Sequence, residues 1–343
     1  MAVKHTLDLL ATLGRAFHYF PPLYVNSILG HPPNWVPPYP RYSEFRILDP
    51  RKPMRALGYL IDAGLFPIPM KRPGWLGFIP EVFFLQEPHV MHWQGQMQDY
   101  DSYPDESWFF INGVTSNNDI AKLQRACLTE HFRRPITIIQ NPTDSIYLDI
   151  LEAAVGKTGA WMAQPAHLGA VEIKRVLCSS KKKVVVVAYS QGSIIMANIL
   201  RELQRCPEAN AQLHKLEIYN FANCSDRMEY TDPVRRVPYI ENFANRQDLV
   251  ARLGVLAPKK RGIINIDGPV FVREAYGHLL NQHYLYHLLD DRGQSTYHYD
   301  DRQSASDYAF EGEPFPRLFT YHKDYVGPSW EEMHHNPAMR MGA

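Results

Sequence analysis

The chain has 343 residues, 45% hydrophobic and 21% charged, with 36 basic residues set against 36 acidic ones. That length supports one large domain with insertions, or two small ones. The charge balance argues against a nucleic-acid partner, because neutralising phosphates needs a clustered excess of Lys and Arg, and Lys181–Lys183 and Lys259–Arg261 are short runs.

Four widely spaced cysteines, Cys127, Cys178, Cys206 and Cys224, contain no C-x-x-C pair. This usage fits free thiols in a reducing compartment, so a cytoplasmic protein is expected. No segment reaches the ~18 uninterrupted apolar residues of a membrane-spanning helix. The N-terminus lacks a compact apolar core with a small-residue cleavage site, so no secretory signal is expected. Its Leu7, Leu9, Leu10, Leu13 and Phe17 lie near helical spacing. A helix docked on its own protein is expected there, with peripheral membrane contact as the second reading.

Residues 1–104 are rich in Pro and aromatics, as in "YFPPLY", "HPPNWVPPYP" and "LFPIPMKRPGW". Proline fixes φ and removes donors, so this extension should be irregular. It is too aromatic for a disordered linker and is expected to pack on the main domain, bordering a pocket. From 105 to 290 the rhythm changes. "SWFFING" reads as a buried strand, "NNDIAKLQRACLTEHF" as a helix and "PITIIQNP" as a strand. Helical stretches follow at 144–155 and 165–179, then strand 184–188 and a helix over 190–204. "LEIYNFAN" and "VPYIENFAN" read as strands, "GPVFVREA" as the last strand, and "HLLNQHYLYHLLDD" as a closing helix. Short continuous apolar strands separated by helices predict an α/β fold, a mostly parallel sheet covered on both faces. Residues 291–343 are polar and rich in His, Tyr and Asp, and are expected to be a peripheral C-terminal segment.

Ala188-Tyr189-Ser190-Gln191-Gly192 is small-x-Ser-x-Gly, set where the valine strand must turn into a helix. A nucleophile on so sharp a turn needs small residues two positions away on either side. The turn also aims the amide of Gln191 at the space above the serine. The competing reading is an ordinary turn capped by serine. A serine hydroxyl needs a base, and the base an orienting carboxylate. Asp248 lies just past strand "VPYIENFAN", and His278 follows Gly277 before the closing helix. His283 is a rival base, and Asp226 and Glu229 are rival acids.

The chain order Ser190, Asp248, His278 resembles that of the α/β-hydrolases, and "ANRQDLVARLG" is similar to the N-x-x-D-x-V-x-R-L loop of lipase-like members. The resemblance covers roughly residues 105–290. Alanine at 188 departs from the commoner glycine but keeps the small size. The resemblance implies Ser190 as nucleophile, His278 as general base and then acid, and Asp248 as its orienter. It also implies a second oxyanion donor in the loop after "SWFFING", where Asn112-Gly113 replaces a frequent His-Gly pair. Gly113 lets the backbone turn close to the pocket, and the amide of Val114, or next that of Thr115, is the expected donor. Asn112, Thr115 and Tyr189 flank this space and are expected to meet substrate. The implied activity is hydrolysis of a carboxylic ester, lipid-like or aromatic, with no cofactor and no metal. An acyltransferase or product-releasing enzyme, and a non-catalytic binding protein of the same fold, are the alternatives.

Other patterns carry less. His283 and His287 stand i, i+4 but lack the glutamate of H-E-x-x-H and read as structural. "VGKTG" at 155–159 has Leu151 where a phosphate loop begins with glycine. "NCS" at Asn223 ends a core strand and is set aside as a glycosylation acceptor.

Overall fold

The computed structural model describes residues 26–27, 29–30, 38–47, 87–95, 103–113, 116–141, 164–229, 237–257, 264–303 and 315–329. In chain order the strands are β1 (His89–Met91), β2 (Glu106–Ile111), β3 (Ile136–Gln140), β4 (Lys183–Tyr189), β5 (Leu216–Phe221), β6 (Arg227–Met228), β7 (Tyr239–Asn245), β8 (Asn265–Ile266), β9 (Val270–Arg273) and β10 (His298–Tyr299). Eight of them form one sheet in the order β1-β3-β2-β4-β5-β7-β9-β10, while β6 and β8 pair separately. The six inner strands run parallel, and only the edge strands β1 and β10 are antiparallel. The fold is therefore α/β with a mostly parallel sheet, as the strand-helix rhythm implies.

Central β4 explains the valine run. Val184 to Val187 are fully buried, so both faces of this strand are covered and no polar alternation is tolerated. Helices α1 (Asn118–Phe132), α2 (Gln164–Leu177) and α3 (Gln191–Arg205) do the covering. Ile139 and Ile111 share a face through their register, and a Cβ on Gly169 of α2 would lie 3.4 Å from Ile139. The same Cβ would lie only 2.5 Å from Ile199 of α3, so α2 and α3 meet closely on this side. Trp108 points the other way and stacks on Phe132 of α1, its ring centroid 5.4 Å distant. Period-two alternation thus puts α1 opposite α2 and α3.

Several expectations need correction. The stretch "GPVFVREA" is not the last strand, since β10 pairs with β9 beyond it. The closing helix begins at Leu280, not His278, as a π-turn over Leu280–Tyr284 followed by a 3-10 turn over Leu285–His287. The residues described beyond 291 are not all peripheral. Phe319 is fully buried and stacks on Phe243, which itself stacks between Phe221 and Phe271 across three strands. The extension places β1 at a sheet edge and buries Phe45. The helical stretch expected at 144–155, the N-terminal helix and "VGKTG" lie outside the described residues. Among the described residues no helix is long and apolar enough to cross a membrane.

Candidate functional site

β4 ends at Tyr189 and α3 begins at Gln191, so Ser190 makes the turn alone. It does so at φ 56° and ψ −124°, a conformation that costs an L-residue on the order of 1–3 kcal/mol. The surroundings hold it there. Ser190 N donates to Phe221 O at 2.9 Å, and its carbonyl accepts from Ser193 N at 2.9 Å and Ser193 Oγ at 2.6 Å. Ser193 Oγ in turn accepts from Cys224 N at 3.1 Å. A Cβ on Gly192 would come within 2.3 Å of Ile111 O, which is why only glycine fits two residues after the serine. A Cβ on Gly113 would lie 2.7 Å from Ser190 Cβ, so the loop after β2 closes directly over the turn.

His278 reaches this turn from the loop after β9. Its Nε2 is 3.0 Å from Ser190 Oγ, and its Nδ1 is 2.8 Å from Asp248 Oδ2. With Nδ1 donating to the carboxylate, Nε2 accepts the serine proton. Asp248 caps the short helix Leu249–Arg252 after β7 through Oδ1, which accepts from Val250 N at 2.8 Å. Its Oδ2 accepts a second bond, from Tyr284 Oη at 2.6 Å. The carboxylate is fully buried, and three donors converge on it, which is what keeps a buried carboxylate from costing the fold several kcal/mol. Burial and the neighbouring Asp248 push the Tyr284 phenol well above its ordinary range, so it stays a donor.

The rivals separate on position. His283 donates its amide to Leu279 O at 2.8 Å, while its ring Nδ1 accepts from Leu279 N at 3.0 Å. The ring caps its own turn and meets Phe45 edge-on. Burial drives its pKa down to about 3 and that of His287 to about 4, so both are neutral near pH 7. Glu229 is exposed, and the Asp226 carbonyl receives Asn265 N in the side sheet. Asn223 is buried with its amide bonded to Asn242 and Ser225.

Two residues expected to meet substrate have side-chain groups engaged within the protein. Asn112 is fully buried, donates to Gly113 O and Asn141 O, and accepts from Asn141 N. Its amide staples the loop after β2 to the end of β3. Tyr189 stacks on the His278 ring, centroids 5.0 Å apart, and donates its hydroxyl to His278 O at 2.7 Å. It positions the imidazole. Gln191 opens α3, and its side-chain Oε1 accepts from Asn141 Nδ2 at 2.5 Å. Val114 and Thr115 lie outside the described residues.

Two contacts escaped the sequence reading, those of Tyr284 with Asp248 and of Tyr189 with the His278 carbonyl, which no motif spells. Asn245 opens the N-x-x-D-x-V-x-R-L match, but its partners are not legible there. Asn245 Nδ2 donates to Gly277 O at 3.0 Å and His283 O at 3.1 Å, tying the base loop to the end of β7. Among the described residues no three His, Cys, Asp or Glu side chains cluster as metal ligands. The arrangement as it stands is an imidazole placed to take a proton from a strained serine and to share its other proton with a buried carboxylate. Comparison with protein-family models, curated proteins and solved structures finds no match.

Proposed function

We propose that the protein is a serine hydrolase of the α/β-hydrolase type that cleaves a carboxylic ester through an acyl-enzyme. The observation that carries this reading is the Ser190–His278–Asp248 hydrogen-bonded chain at the carboxyl edge of a parallel sheet. Ligands in open α/β sheets bind at this edge. The order of the three residues along the chain, the strained turn and the following helix are those of a nucleophile elbow.

Ser190 Oγ attacks the acyl carbon as His278 Nε2 takes its proton, and the C=O π pair moves to oxygen. Asp248 holds the imidazolium in place without itself taking the proton. The oxyanion meets the amide of Gln191, and a second donor comes from the loop that Gly113 brings over the serine, with Val114 the sequence-based choice. Collapse expels the alcohol, which leaves with the proton from Nε2. Water then gives a proton to His278, attacks the acyl carbon and releases the acid, and the proton returns to Ser190. Removing one oxyanion donor typically costs about 3–4 kcal/mol of transition-state stabilisation. The Pro- and aromatic-rich composition of residues 1–104 favours an apolar ester, lipid-like or aromatic.

Turnover of p-nitrophenyl esters of increasing acyl length, with Ser190→Ala as control, tests this. The expected result is hydrolysis by the wild type alone, rising with acyl length. Equal turnover by Ser190→Ala would overturn it. Added alcohol or amine acceptors report whether acyl transfer competes with hydrolysis.

A further inference from the structure

The loop that carries His278 is held from three directions. Asn245 ties Gly277 O to β7, and Tyr189 ties His278 O to β4. The third hold comes from the far end of the chain. Glu44, more than 230 residues away in sequence, accepts Asn281 N on Oε1 at 2.8 Å and Gln282 N on Oε2 at 3.0 Å. These are amides of the π-turn that begins two residues after His278. A helix of any kind leaves its first amides without partners inside the helix, and π-turns concentrate at functional sites. Here one carboxylate takes two of those amides, while the His283 ring takes Leu279 N.

The contact is broader than one side chain. Tyr42 O accepts from Asn281 Nδ2 at 2.6 Å, and Tyr42 N donates to Tyr286 Oη at 2.8 Å. Phe45 sets its ring edge-on to His283, centroids 5.9 Å apart. A Cβ on Gly30, at φ +73°, would lie 2.6 Å from His283 Nε2, so this short stretch also lies against the turn. Glu44 is costly to keep in this place. It is buried, and burial raises its carboxyl above the ordinary value while the amides of Asn281, Glu44 and Gln282 and the side chain of Gln124 pull it back down. Buried carboxyls also serve the scaffold elsewhere in this fold; what singles out Glu44 is that both of its oxygens hold amides of the turn that follows His278.

We propose that Glu44 is a positioning residue, and that residues 42–46 form a strap that sets the His278 loop in register with Ser190. This rests on the serine-hydrolase reading. The strap gives the Pro-rich N-terminal region a stated part in the reaction: it fixes where the base stands, without touching substrate. A loop that slackens by a fraction of an ångström lengthens the 3.0 Å approach of Nε2 to Oγ and slows proton removal. Binding of the ester is left alone.

The test is the rate at which a fluorophosphonate labels Ser190 in wild type, Glu44→Gln and Glu44→Asp, alongside the thermal unfolding of each. Glutamine keeps the size but turns an NH2 toward a backbone amide. The expected result is that Glu44→Gln folds at the assay temperature yet labels at least about tenfold more slowly, with KM for a chromogenic ester unchanged and kcat reduced. Glu44→Asp, which keeps the carboxylate, recovers part of the rate. A folded Glu44→Gln that labels at the wild-type rate overturns the proposal, whatever its melting temperature. Loss of the fold in both variants also overturns it, since the carboxylate would then serve the fold alone. A wild type that never labels would sink the serine-hydrolase reading itself, a result distinct from either.

Discussion

Two buried polar networks occupy opposite ends of the same strands. At the amino ends, Glu217 of β5 pairs with Arg317 Nη2 at 2.7 Å and accepts from Tyr219 and Tyr321 at 2.7 and 2.9 Å. Glu241 of β7 accepts from Tyr239 Oη at 2.6 Å and from the amides of Arg317 and Leu318 at 2.6 and 3.1 Å. These partners, with Lys183 Nζ 3.7 Å from Glu217, close the sheet against residues 317–321. At the carboxyl ends, the chain from Tyr284 through Asp248 and His278 stops at a hydroxyl on a strained turn. The partners differ more than the burial does. A carboxylate answered by a guanidinium and phenols fits a structural part, whereas one answered by an imidazole that faces a serine fits the proposed hydrolase chemistry.

Substitutions at each end should therefore separate activity from stability. The largest effect is expected at His278. His278→Ala should lower kcat/KM by roughly 10⁴-fold or more, while circular dichroism shows the sheet intact. The mirror experiment is Arg317→Ala, which takes the guanidinium from Glu217 and leaves Lys183 Nζ, 3.7 Å away, as the remaining cation. It should lose about 3–5 kcal/mol in chemical denaturation, while kcat/KM of the folded fraction stays near wild type. If Arg317→Ala destroyed activity at full stability, the division between the two ends would collapse.

Tyr284→Phe sharpens the comparison, because it removes one donor from Asp248 and leaves the rest of the ring in place. A buried carboxylate short of one hydrogen bond costs about 1–3 kcal/mol, divided here between stability and a reduced kcat. An unchanged kcat with lowered stability would assign Tyr284 to the scaffold alone. The smallest effect is a pH slope at the other end. Burial raises Glu241 from its ordinary 4.5 to about 7. Because the folded value lies above the unfolded one, its contribution to stability is fully present below about 4.5 and is lost as pH rises through about 7. The melting temperature should fall across that window, and Glu241→Gln should flatten the fall. A slope that survives the substitution would assign it to other groups.

Legibility from sequence followed locality. The valine run, the small-x-Ser-x-Gly turn, and an acid and a histidine each just past a strand are short-range patterns, and the Ser190, His278 and Asp248 they single out lie within hydrogen-bond distance of one another along one chain. What they missed depends on long-range partners. β1 is three residues long and lies in a Pro-rich stretch, and β10 is two residues long, so neither has a period to detect. Phe319 sits in a polar segment, and only the aromatic stack across β5, β7 and β9 reveals why it is buried. Tyr189 adjoins Ser190 in sequence and Asn112 belongs to the loop expected to supply an oxyanion donor, which is why both are expected to meet substrate. Their hydrogen bonds turn inward, to Asn141 and to the His278 carbonyl. Glu44 had no local signal at all, since its partners are the amides of residues 281 and 282.

The measurement that tests the central claim most directly is the mass of the peptide bearing Ser190 after the purified protein is exposed to a fluorophosphonate. The account predicts one phosphonyl adduct, located on Ser190, absent from Ser190→Ala and strongly slowed in Asp248→Asn. A protein that remains unlabelled at long exposure, in buffer and with lipid present, would contradict it.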